Sequence, residues 1–212
     1  MLTARKAIAD DSGFTLVELL VAIVILGAIM VPLADMVLGA LRQTNQSQGR
    51  LAESHDAQIA AAYWASDVAS LGTRTTNDPL DPQLQTSIET NVAYDGGTYK
   101  CGTAGTPNAV VRFAWDEVTP GPSGGTTTLV VVAYVVKPDG ARSTLHRLRC
   151  NNSTTPASDT TLAHDLNAAP TVQCTPGCTL APSTVSMQLT IQDPLSREPN
   201  YMITLAGNRR QE

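Results

Sequence analysis

Ser12-Gly13-Phe14-Thr15-Leu16-Val17-Glu18-Leu19-Leu20-Val21 opens the stretch whose reading decides the fold. Residues 14–34 form an apolar run of 21 residues with a single charge, Glu18. About 20 apolar residues suffice for a helix to cross a bilayer. Arg5 and Lys6 precede the run, and basic residues hold that end in the cytoplasm. A secretory signal has a shorter core and a small-residue cleavage site after it, and no such site closes this run. A plain, uncut signal anchor is the competing reading.

Glu18 argues against a plain anchor. A carboxylate at the centre of a membrane helix costs about 2.5–3.5 kcal/mol on insertion scales, so it is kept for a partner. Glu18 lies one turn after Phe14. A cut before Phe14 would create a cationic amine at the helix start. Glu18 of one subunit could then meet the amine of the next, and the pair would set the depth at which a subunit docks.

These residues, in this order, resemble the processing motif of type IV prepilins and type II secretion pseudopilins. The resemblance implies cleavage by a prepilin peptidase between Gly13 and Phe14, N-methylation of Phe14, and an assembly role for Glu18. It also implies a cytoplasmic-membrane, single-pass protein whose head stands outside and which later joins a pilus or pseudopilus. Its partners would be other pilin or pseudopilin subunits, the prepilin peptidase, the membrane assembly machinery and lipid. The fold implied is α+β and pilin-like, a long N-terminal helix packed on an antiparallel β-sheet head. The segments expected are a leader at 1–13, a transmembrane part at 14–41, an extracytoplasmic helical part at 42–71 and a β-rich head at 72–212.

Working outward, residues 42–71 are rich in Ala, Gln, Leu and Glu, and no proline interrupts them. Leu51, His55, Ile59 and Tyr63 follow a four-residue step, while Trp64, Val68 and Leu71 mark a second face. Tyr63 and Trp64 are expected to anchor the head. A continuous helix over 14–71 would span about 87 Å. Pro32 is expected to kink or locally open it, because proline removes a backbone donor and clashes with the preceding turn. Residues 72–82 read as a loop.

Strand signals follow at 109–116 and, most strongly, at 126–136, where β-branched residues are densest. Lys137-Pro-Asp-Gly140 reads as the turn into a return strand at 142–150. Residues 151–184 read as irregular. Residues 185–192 and 200–205 form a second hairpin across a turn at 193–199. The order of helix and hairpins, with a return strand reading Leu-His-Arg-Leu-Arg-Cys150, is similar to the J-type minor pseudopilins.

Four cysteines, Cys101, Cys150, Cys174 and Cys178, all lie downstream of the apolar run. An even number confined there points to disulfides in an oxidising compartment. Four cysteines allow three pairings. Cys101–Cys150 and Cys174–Cys178 is preferred, because Cys150 ends a return strand and Cys174 faces Cys178 across Pro176-Gly177.

No cofactor, metal site or catalytic residue is expected. Ser143 and His146 share a strand but lack a carboxylate to orient the imidazole. Asp116 and Glu117 read as a solvated strand end. Residues 121–125 are glycine-rich without the Lys-Ser/Thr of a phosphate loop. The basic group Arg142, His146, Arg147 and Arg149 reads as a guarded edge or exposed face, and with a net charge of -5 nucleic acid is not expected as a partner. The function expected is that of a structural subunit, a minor pilin or pseudopilin. The alternatives are an uncut, signal-anchored extracytoplasmic binding protein and a minor pilin serving DNA uptake or adhesion.

Overall fold

The computed structural model describes residues 13, 15–72, 74–75, 84–121, 125–179, 182–192 and 200–210. The chain divides into two units, Met1–Gln48 and Gly49–Glu212. Helix α1 (Leu16–Ala69) is 54 residues long and runs unbroken through Pro32. Ten strands follow: β1 (Arg74–Thr75), β2 (Leu84–Gln85), β3 (Ile88–Val92), β4 (Ala109–Thr119), β5 (Thr126–Asp139), β6 (Arg142–Asn151), β7 (Ser158–Leu166), β8 (Thr171–Thr175), β9 (Thr184–Ile191) and β10 (Tyr201–Asn208). The fold is α+β and pilin-like. β1 and β2 pair with each other, and the other strands form one antiparallel sheet in the order β10-β9-β7-β6-β5-β4-β3, with β8 also on β9.

The valine run of β5 explains the centre of the sheet. Val130, Val132 and Tyr134 lie in the larger core cluster, with Ala60, Trp64 and Val68 of α1. Val131, Ala133 and Val135 lie in a second cluster with Tyr99, Cys101, Leu148 and Cys150. A strand covered on both faces reads as a continuous apolar run instead of alternating. The second cover is the segment between β3 and β4. It is gathered around the buried guanidinium of Arg112, which donates to the carbonyls of Ala93, Gly96 and Tyr99 and pairs with Glu89.

Trp64 seats the helix. Its indole is fully buried, donates to the Val185 carbonyl at 3.1 Å, and meets Phe113 and Tyr134 edge-on at 5.2 and 5.0 Å. Such contacts add about 0.5–1.5 kcal/mol per pair beyond area burial. Gly207 on β10 lets strand and helix approach closely, because a Cβ there would fall 2.6 Å from the Cβ of Val68. Tyr63, one residue before Trp64, stays 38% exposed, with the Arg147 guanidinium 4.9 Å over its ring.

Several expectations are corrected. The hairpin turn is not Lys137–Gly140: β5 continues through Pro138 to Asp139, and Gly140-Ala141 makes the turn. Gly140 sits at φ 59°, a left-handed position that glycine adopts freely. Pro138 is tolerated because β4 pairs with β5 only as far as Val135, so one side of β5 has no ladder there. Residues 151–184 are not irregular, since their Thr-rich stretches form β7 and β8, paired antiparallel beside β6 and β9. Sequence reading also passed over β3. The turn expected at 193–199, and most of the loop at 72–82, lie outside the described residues.

Candidate functional site

Thr15 and Glu18 form a closed pair at the start of α1. Glu18 Oε2 accepts from the Thr15 backbone N–H and from Thr15 Oγ1, each at 3.0 Å. Thr15 Oγ1 in turn accepts from the Glu18 N–H at 3.3 Å. This reciprocal arrangement is a capping box, in which an N-cap hydroxyl and a carboxylate three residues on satisfy each other's backbone donors. The Thr-x-x-Glu spacing was present in the sequence and announces it. Only one carboxylate oxygen is engaged, and a carboxylate has about four lone-pair sites. Oε1 therefore keeps its capacity for a further donor among the described residues. Gly13 is exposed, and a Cβ there would meet nothing within 4 Å. Phe14 lies outside the described residues.

The segment after this cap presents apolar residues on every side. All residues from 16 to 41 are exposed in the isolated chain, and the most apolar window has a mean hydropathy of 2.7. By length and composition the helix can cross a membrane, and its glycines at 27 and 39 meet no neighbour within 4 Å. A helix apolar all round is stable only where something apolar surrounds it.

In the head, the basic group disperses. Arg147 is neither edge nor exposed: its Nε and Nη2 donate to Asp67 Oδ2 and Oδ1 at 2.7 and 2.6 Å. Tyr134 Oη donates to the same carboxylate at 2.7 Å. Burial, and then the charge of Asp67, hold the Tyr134 phenol well above its usual range, so it remains a donor. The reason for the misreading is that β6 lies between β5 and β7, and its odd-numbered side chains face α1. Arg149 pairs with Glu117 at 2.8 Å, while Asp116 takes a bidentate contact from Arg74 at 2.9 and 3.0 Å. Asp116 and Glu117 thus lie exposed toward the end of β4, each in its own surface ion pair. Arg142 donates to the Asn167 amide oxygen.

His146 does have a carboxylate. Its Nδ1 lies 2.7 Å from Asp159 Oδ1, and its Nε2 lies 3.0 Å from Thr144 Oγ1, the hydroxyl two residues before it. Asp159 comes from β7, in the stretch read as irregular, so the partner was invisible in sequence. Burial pushes the Asp159 carboxyl up, but hydrogen bonds from Lys137 and His146 outweigh it and hold the group below its ordinary value. Lys137 contacts the other oxygen of Asp159. Thr144 is nearly buried. The cluster is a chain of hydrogen bonds linking β5, β6 and β7.

The structure pairs Cys101 with Cys150 and Cys174 with Cys178, with Cα separations of 5.7 and 5.0 Å. Among the described residues no group of three or more His, Cys, Asp or Glu could hold a metal ion.

No curated protein and no solved structure matches the chain. One family does: the prokaryotic N-terminal methylation motif matches residues 8–34, the stretch that holds Gly13, Phe14, the Thr15–Glu18 cap and the whole apolar run. That motif supports a type IV pilin- or pseudopilin-like protein, and it implies processing by a prepilin peptidase and contact with other pilin subunits. The chain therefore carries the N-terminal methylation motif that is the class III signal peptide of type IV pilins, followed by a long apolar helix and an antiparallel β head.

Proposed function

We propose that this chain is a structural subunit, a minor pilin or pseudopilin, and not an enzyme. It waits in the cytoplasmic membrane on residues 14–41, with residues 42–71 and the head at 72–212 outside. Removal of the leader at 1–13 and methylation of Phe14 prepare it for entry into a pilus or a type II secretion-like filament. Pro32 gives the membrane part of the helix a place to bend as subunits pack. The observation that carries this reading is the order Gly13-Phe14 followed by Glu18 inside an apolar run, matched by the methylation motif. Its chemistry is the pairing of a new cationic N-terminus with a carboxylate in lipid, where screening is weak and an unpaired charge is costly.

Intact-mass analysis of membrane-extracted protein tests it. The expected mass lacks residues 1–13 and carries one methyl group. A chain that keeps its leader in cells with active prepilin peptidase contradicts the reading and favours an uncut anchor. Glu18→Ala should insert normally, because the run becomes more apolar, and should be lost from sheared filaments. Normal amounts of that variant in the filament fraction would remove the assembly role.

A further inference from the structure

A cavity of about 280 Å³ opens on the face of the sheet away from α1, beside the Cys101–Cys150 disulfide. Tyr99, Leu129 and Val131 supply its apolar lining, and Thr98, Asn152, Ser153 and Thr154 its polar lining. Lys100 stands among them. The volume falls just under the ~300–1,000 Å³ of ordinary small-molecule sites, so it takes a fragment and not a large cofactor.

The walls are fixed before anything binds. The Thr98 N–H donates to Glu89 at 2.6 Å, and the Tyr99 hydroxyl to the Thr86 carbonyl at 2.6 Å. The Tyr99 carbonyl accepts from buried Arg112. Asn152, at φ 46°, exchanges two hydrogen bonds with the Leu129 backbone, at 2.8 and 2.9 Å. The Thr154 carbonyl accepts from the Gly102 N–H at 2.7 Å, next to the disulfide. A preorganised site loses little entropy on binding.

Charge then selects the ligand. Arg112 is matched by Glu89, and Arg74, which covers the Tyr99 ring, by Asp116. Among the described residues no carboxylate lies within ion-pair distance of Lys100, which is exposed. The cavity thus combines an apolar floor, hydroxyl and amide groups, and Lys100, a cation without a carboxylate partner among the described residues. We infer that it binds a small aliphatic carboxylate. The C-terminal residue of a polypeptide and a free branched-chain acid share that chemistry. The site does not depend on filament assembly.

The test uses the full-length chain in detergent micelles, with amide chemical shifts as the readout. N-acetyl-leucine should produce saturable shifts at residues 98–101 and 152–154, and N-acetyl-leucinamide should not. Lys100→Gln, at an exposed position without an ion pair, should keep the spectrum of the fold and weaken binding about fivefold, the scale of one exposed charge contact. A short peptide ending in free leucine that binds about tenfold tighter than N-acetyl-leucine assigns the site to polypeptide termini. A peptide that binds no tighter assigns it to free acids. Absence of saturable shifts, equal binding of acid and amide, or unchanged affinity in Lys100→Gln would overturn the inference.

Discussion

Residues 16–41 and 60–69 belong to one helix, yet they are stabilised by different surroundings. In the first part every side chain is exposed. In the second, Ala60, Trp64 and Val68 are wholly buried under the sheet while Ala61, Ala62 and Ala65 remain outside. The first part is apolar on nearly all sides and carries two acids, the self-capped Glu18 and Asp35. The second is apolar on one side, and its buried acid, Asp67, is matched by Arg147 from 80 residues away. A segment made for lipid declares itself by composition. A segment made for a folded core declares itself only through partners.

The largest test of that contrast is Trp64→Ala. It should lower head stability by about 3–5 kcal/mol by leaving a cavity. Ile23→Ala, which opens no cavity in the isolated chain, should change it by less than about 0.5 kcal/mol. Urea unfolding of the detergent-solubilised chain, followed by Trp115 fluorescence, compares them. Equal losses would mean that the two parts of the helix are not energetically distinct.

Next in size is the buried pair. Asp67→Ala strands the Arg147 charge and the Tyr134 hydroxyl, and should cost about 3–5 kcal/mol. Replacing both partners, Asp67→Leu with Arg147→Met, should recover most of it, since apolar substitutes avoid desolvating two ions. A double variant as unstable as the single one would show that the pair is not the source of the loss.

The disulfides sharpen the comparison within the head. Cys101–Cys150 spans a sequence separation of 49, against 4 for Cys174–Cys178. On the chain-entropy account, losing the long bridge should cost about 4 kcal/mol and losing the short one about 2 kcal/mol. Thermal melts of Cys101→Ser and Cys178→Ser should keep that order, and a reversal would place the strength of the head in its outer loop.

The smallest effect is that of pH. The Asp159 carboxyl is held below its ordinary value of 3.8, so its contribution to stability is complete above that pH. It is lost as pH falls through the lower folded-state value. Asp159→Asn should flatten the acid limb of the stability curve slightly, because the side chain is 42% exposed and solvent screens the interaction. An unchanged acid limb would mean that Lys137 and His146 contribute nothing there.

What could be read in advance follows the same division. The apolar run, the Gly13-Phe14-Glu18 order, the valine-rich β5 and the β9–β10 hairpin each carry a local signal. Trp64 and Val68 were readable as a face because helical spacing brings them together. Arg147, Asp159 and the strands β7 and β8 were not readable. Their character depends on which strand lies beside which, and an arginine looks equally at home on a solvated face. The capping box is the exception, since its Thr-x-x-Glu spacing is local and was passed over while Glu18 was considered only for a distant partner.

The close fit of Val68 into the notch at Gly207 has a mechanical meaning. Force applied along the helix must pass from helix to sheet, and two smooth surfaces would slide. Val68 sits where a single added methyl group would leave only 2.6 Å between carbon atoms, so axial slip drives one backbone into a side chain. Trp64, hydrogen-bonded to the carbonyl of Val185 on β9, resists slip at a second strand one turn away. The joint thus behaves like a key in a slot, stiff along the helix axis, and its stiffness comes from the absence of a side chain.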